Sequence, residues 1–301
     1  MKNLTNMSEN KLNIVGKLLD VNAADGKLED GRYYERATFT VRVNQTYNNK
    51  QEISEIPVSI FATQYTRDNR PNPAYENLQR LKSMKTVQGY GEAEADVVRL
   101  SGASISENNF VAKSGNLING WQIRSSFINN GNKAQDIASF NIDIFIMDMH
   151  PEVDNDGEET GRLIVKGAVV QYNNVVDVLE FVVEGADRVE YIERNWNIND
   201  TVNIGGRIRV TSQETTRSAS TSSWGEELPE TTTRMVRELV ITRGSDEPFE
   251  EDFAYDPNEI RKGFNARKAK IEQLQMDAKN RGAQKSTAPS QSTPNKYSWE
   301  G

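Results

Sequence analysis

The chain has no cysteine and a single histidine, His150. Disulfides, thiolate metal sites and thiol nucleophiles are thereby excluded. One imidazole builds neither a zinc site nor a paired-histidine motif, so no metal is expected. No apolar run reaches the roughly 18 residues of a membrane helix, and the opening stretch MKNLTNMSENK holds no apolar signal-peptide core. A soluble, cytoplasmic protein without membrane contact is the expectation. Cofactor loops are missing as well. The glycine pairs Gly89/Gly91 and Gly205/Gly206 are followed by no lysine and sit at no strand-to-helix junction, so they are not phosphate loops and are read as sites of barrel curvature. With no nucleophile–base pair and no carboxylate cluster, neither a cofactor nor an enzyme is expected.

Positive charge is also short. The net charge of the 301 residues is -8, which argues at first sight against a polyanionic partner. Its distribution reverses that reading for one part of the chain. Residues 1–136 carry 17 Lys and Arg against 15 Asp and Glu, whereas residues 137–244 carry 10 against 19. The first half is therefore the expected seat of any polyanion site.

Strand patterns fill both halves. At 34–45, Ala37, Phe39, Val41 and Val43 alternate with Arg36, Thr38, Thr40 and Arg42, the period of a half-buried strand. Strands are also predicted at 12–21, 53–62, 86–95 and 120–128, with a helix at 74–84. The second half repeats the order: strands at 139–149, 161–172 and 175–184, a helix at 186–196, strands at 201–210 and 234–243, and a loop over 211–233. Thr86–Gly91 aligns with Thr201–Gly206, each just after the helix. Five strands with a helix between the third and fourth is the OB pattern. The fold class expected is all-β: two tandem OB-fold barrels, at 10–136 and 137–244, with a partly helical, partly disordered tail at 245–301.

Asn13–Asp20, Ala37–Val41 and Pro57–Ala62, followed by a helix and Thr86–Gly91, resemble the first four strands of bacterial single-stranded-DNA-binding proteins. The duplicated arrangement is similar to that of single-stranded-DNA-binding proteins of some bacteriophages, for which the compartment would be the host cytoplasm. The resemblance implies a protein that coats single strands in DNA replication or recombination. It places Phe61 on a base-stacking phenylalanine of the family and Tyr47 on a stacking tryptophan. Two other tryptophan positions hold Glu55 and Val98, and basic positions of the fourth strand hold Glu94 and Asp96. The second copy has Glu184 at the position of Phe61, on an acidic face.

The chemistry of the residues supports the same partner. Single strands expose base faces, each worth about 1–3 kcal/mol when stacked on an aromatic ring, and a backbone-tracking groove needs cations. The first repeat offers Arg36, Arg42 and Phe61 on its outer strand face, and nearby loops add Tyr47, Lys50, Tyr65, Arg67 and Arg70. Plainer readings stand beside these. Phe61 could pack on the tail or a partner, Tyr47 could be an ordinary loop residue, and the arginines could pair with Glu55. A structural or virion-associated protein using its barrels for protein contacts is the alternative function, and a homo-oligomer is compatible with either.

From Ser245 the composition changes. Residues 245–260 hold seven acids and no base, with Phe249, Phe253 and Tyr255 as aromatics. These three are expected to dock replication or recombination proteins. Residues 258–281 carry a stripe of Ile260, Phe264, Ile271, Leu274 and Ala278 at helical spacing, and the end of the chain has the composition of disorder.

Overall fold

The computed structural model describes residues 8–47, 49–112, 114–133, 135–154, 156–171, 174–217 and 230–286. Strands β1 (Asn10–Lys27), β2 (Tyr33–Tyr47) and β3 (Lys50–Thr63) form an antiparallel meander. The alternation in β2 is realised: Ala37, Phe39, Val41 and Val43 are buried, and Arg36 and Thr38 are exposed. Helix α1 (Pro73–Lys82) starts where Asn72 Oδ1 accepts the Ala74 N–H, with Pro73 in the first turn. A missing N–H is harmless there, because that position has no intrahelical acceptor. Leu78 and Leu81 of α1 are buried in the core.

The next segment corrects the sequence reading. Residues 86–95 are not a strand. Thr86 Oγ1 caps a single turn, α2 (Val87–Tyr90), by accepting the Gly89 N–H, and Gly91 ends it at φ +83°. The aligned Thr201–Gly206 is extended, so matching the two stretches set the fourth strand too early. That strand is β4 (Val97–Ser101) and β5 (Ser104–Glu107), broken at Gly102 with φ +61°. A small hairpin, β6 (Phe110–Val111) and β7 (Leu117–Ile118), precedes β8 (Trp121–Arg124) and β9 (Phe127–Asn130). The pairings make a ring. β3 runs parallel to β8, β8 pairs β5, and β4 returns to β1 and also pairs β9. The Leu12 N–H donates to Ala103 O across the break.

Five later strands close a ring by the same order of pairing. They are β10 (Ile137–Val153), β11 (Glu159–Val170), β12 (Val176–Val183), β13 (Thr201–Arg217) and β14 (Glu230–Gly244). β10 pairs β11, β11 pairs β12, β12 runs parallel to β14, β14 pairs β13, and β13 returns to β10. Helix α3 (Ala186–Asn195) lies between β12 and β13 and buries Ile192. Gly206 sits where a Cβ would stand 2.0 Å from Val240 O, beside a register shift in the β13–β14 ladder. Only glycine fits so close an approach of two strands. The loop read at 211–233 is shorter than expected: strands occupy 211–217 and 230–233, and 218–229 lie outside the described residues.

The two rings share one continuous sheet. The first half of β1 pairs β10, from Asn10 opposite Ile142 to Val15 opposite Ile137. One buried apolar cluster runs from Phe39, Val58 and Ile123 through to Phe140, Phe181 and Leu239.

The segment after 244 is part of this body. The Phe249 N–H donates to Thr201 O, and the Tyr255 N–H to Thr201 Oγ1. Tyr255 is only 2 % exposed and packs with Ile260 among Phe145, Ala168, Val170 and Val176. Tyr255 is thus an intramolecular anchor and not a partner-docking residue, because its ring is spent on the core. Helix α4 (Pro257–Ser286) follows. Its stripe of Phe264, Ile271, Leu274 and Ala278 is half-buried, as the helical spacing predicts. Disorder is expected over 282–301; residues 282–286 instead continue α4, and 287–301 lie outside those described.

Candidate nucleic-acid interface

The outer face of the first ring is ordered in rows, because antiparallel neighbours place directly opposed side chains on the same side of a sheet. One row is Gly26, Tyr34 and Thr63. The next is Ala24, Arg36 and Phe61, and the third is Asn22, Thr38 and Ser59, continued by Arg124 across the parallel β3–β8 pair. Phe61 is 55 % exposed. Its ring centroid lies 5.2 Å from that of Tyr34, at 33° between planes. Gly26 makes this possible: a Cβ there would stand 2.5 Å from the Tyr34 hydroxyl oxygen, so Tyr34 lies over bare backbone. The small side chains of β1 leave Phe61 open to solvent, while Tyr34 is half-buried.

At the end of β3 the 65–71 loop stands beside these rows. Tyr65 bridges to Pro71 and is 41 % exposed. Thr66 Oγ1 accepts the Arg70 N–H, and Arg67 and Arg70 are exposed. Among the described residues, the ion pairs of the first ring and its helices engage Lys11, Lys17, Arg32, Arg42, Lys82 and Lys85. Arg36, Arg67, Arg70 and Arg124 are in no ion pair among the described residues. Exposed cations beside an exposed aromatic ring can take phosphates and base faces at once.

Three residues expected at this face are elsewhere. Arg42 pairs with Glu55 at 2.8 Å and with Glu92 at 3.0 Å, and the Glu55 hydrogen bond raises its guanidinium pKa further. Tyr47 lies at the far end of the β2–β3 hairpin, opposite Lys50. At about 3.3 Å per residue, Lys50 is some 36 Å along β3 from Phe61. The Arg207 guanidinium sits 3.8 Å from the Tyr47 ring centroid, and Arg188 donates to the Tyr47 hydroxyl at 3.2 Å. Tyr47 therefore ties the hairpin to the second ring. Arg36 and Phe61 stand directly opposite each other, and Tyr65, Arg67 and Arg70 lie on the loop that follows β3; Arg42, Tyr47 and Lys50 do not join them.

The expected acidic face around Glu184 is compensated. Glu184 accepts from Arg207 at 3.1 Å and from Arg209, which also pairs Glu238, while Arg207 meets Glu52 at 2.7 Å. Burial disfavours the Glu184 carboxylate, but hydrogen bonds and charge from Arg209 and Arg207 outweigh it and hold its pKa below the usual range. This cluster joins β3, β13 and β14 to Glu184, just after β12, and is an internal lock. Trp121 is 8 % exposed, with Arg237 over its ring at 4.3 Å.

Two residues of the face escaped the sequence reading. Tyr34 stands two positions before Arg36, so period two alone would have put it beside Arg36. Arg124 needed the parallel β3–β8 register, which no local pattern reveals.

A solved structure shares the fold. The wild-type single-stranded DNA binding protein from Thermus aquaticus superposes with a TM-score of 0.50 over 84 % of this chain and 98 % of its own, at 9 % identity. A deletion mutant of the Thermus aquaticus protein gives 0.48 over 83 % and 98 %, at 12 % identity. No curated protein matches the sequence. Residues 8–277, which take in both rings and most of α4, match the YorF family, and the chain belongs to that family.

Proposed function

We propose that this chain is a non-catalytic single-stranded-DNA-binding protein built on two OB-type barrels in tandem, 10–136 and 137–244. Bases stack on Tyr34 and Phe61, and phosphates meet Arg36, Arg67, Arg70 and Arg124. The observation that carries the reading is the exposed ring of Phe61 against half-buried Tyr34, with Arg36, in no ion pair among the described residues, directly opposite Phe61. The order of strands, with a helix between the third and fourth of each ring, supports the tandem assignment. The fold likeness to the Thermus aquaticus protein supports the ligand class. Coating of single strands in replication or recombination, in a bacteriophage or elsewhere, is the role this chemistry suits. Phe253, 63 % exposed, is the aromatic of the acidic segment that remains open to a partner.

Titration with a labelled oligothymidylate and with a duplex of the same length, followed by anisotropy, tests the proposal. Single strands should bind in preference to duplex, because stacking needs bases free of their own stack. Equal affinities would remove the stacking mechanism, and binding to neither would favour the reading of a structural protein that uses its barrels for protein contacts.

A further inference from the structure

A cleft of ≈ 710 Å³ lies between α4 and the edge of the first ring. One wall is the outer side of β5 and β8, with Ser104, Gln122 and Arg124; the other is α4, with Arg267 and Lys270. Arg124 belongs to two surfaces at once. It lines this cleft, and it continues the row of Thr38 and Ser59 on the face that carries Phe61. The cleft is therefore a continuation of that face and not a separate hollow.

Its electrostatics are set by two acids and three bases. Glu107 accepts from Arg267 Nε at 2.7 Å, so these two cancel. Asp177 accepts the Glu107 backbone N–H at 3.0 Å. Burial raises its pKa, while that hydrogen bond and the Lys270 charge act the other way. Among the described residues, neither Arg124 nor Lys270 is in an ion pair, and both are exposed. They face a channel of serine hydroxyls and amides, groups that hydrogen-bond phosphate and sugar without reading sequence.

We infer that a single strand leaving the Tyr34–Phe61 face runs into this cleft, where α4 forms the second wall and Lys270 meets a phosphate. The inference rests on the proposed function. A helix from the segment after 244 would then lengthen the site.

The test uses the full chain and two fluorescent oligothymidylates. OB barrels occupy about 4–16 nucleotides each, so a strand of about 5 nucleotides covers the stacking face alone and one of about 20 reaches α4. Lys270→Glu should weaken the longer strand by about three- to tenfold and lower its log–log salt slope by about 0.7, one phosphate contact, while leaving the shorter strand unchanged. Lys268→Glu, on an exposed position of α4 that does not line the cleft, should alter neither. Equal effects of the two substitutions, or an equal loss for both lengths, would overturn the inference. Phe61→Ala separates the two levels of the argument. If it weakens both strands and Lys270→Glu weakens neither, the path along α4 is wrong and the stacking face stands. If the unaltered chain binds neither strand, both fall.

Discussion

Phe61 shows how side-chain direction decides between stability and binding. Its neighbours Ile60 and Ala62 are 3 % exposed, and Phe61 is 55 % exposed on the opposite side of β3. Truncating a ring that faces water removes little buried area. Phe61→Ala should therefore leave the melting temperature nearly unchanged and weaken oligothymidylate binding by about 1–3 kcal/mol, the worth of one stacked base. Tyr34→Ala should cost a similar amount. The double variant should lose less than the sum, because residues in contact are coupled. A Phe61→Ala protein that melts early but binds normally would put the ring in the core. Arg36→Ala should lower the salt slope by about 0.7, whereas Arg42→Ala, which only opens the pairs with Glu55 and Glu92, should leave it alone.

At the scale of elements, the α4 segment is held by one deeply buried ring. Burial pushes the Tyr255 hydroxyl up to about 12 from its ordinary 10. Below pH 10 the docked and released forms both keep the proton, and docking is at full strength. As pH rises through about 12 the released form gains by ionising, so the docking free energy falls across this window. Hydrogen exchange should show α4 losing protection between pH 10 and 12, and Tyr255→Phe should abolish that alkaline step. Tyr255→Ala should cost about 3–5 kcal/mol, as large-to-small core changes do, and release α4 at neutral pH. Unchanged protection of α4 in Tyr255→Ala would mean that other contacts hold the helix.

The same elements show what local sequence could reveal. Period-two alternation located β2 and β3, and helical spacing located α1, α3 and the stripe of α4, because burial of one face leaves its period in the letters. Thr86–Gly91 misled, since a Thr-capped turn and a Gly-containing strand share residue types, and only the Gly89 N–H bond to Thr86 Oγ1 separates them. Half of the face was legible: Arg36 and Phe61 follow from alternation. Tyr47 and Arg42 were lost to partners far away in sequence, Arg207 and Glu92, and Arg124 was gained through a non-local parallel pair. Tyr255 could not be read as buried from its acidic neighbours, because its cavity is built by β10, β11 and β12.

For the whole molecule, the shared sheet and the lock around Glu184, Arg207 and Arg209 join the two rings. Urea unfolding should accordingly give one cooperative transition with coincident probes; two separated transitions would show that the rings are independent despite the β1–β10 ladder. Net charge of -8 does not forbid a polyanion, because the carboxylates near Arg42, Arg207 and Arg209 are compensated locally, and Arg36, Arg67, Arg70 and Arg124 are in no ion pair among the described residues. Contacts from about three to five cations give a salt slope of about -2 to -4.

The central claim is that base faces, and not phosphates alone, hold the strand on the Tyr34–Phe61 pair. An abasic strand keeps every phosphate and removes every base. The direct measurement is the affinity of the full chain for an oligothymidylate against an abasic strand of equal length, with Phe61→Ala alongside. The unaltered chain should prefer the oligothymidylate by at least about 1–3 kcal/mol, and Phe61→Ala should lose most of one base's share of that preference. Equal binding of the two strands by the unaltered chain would contradict the account.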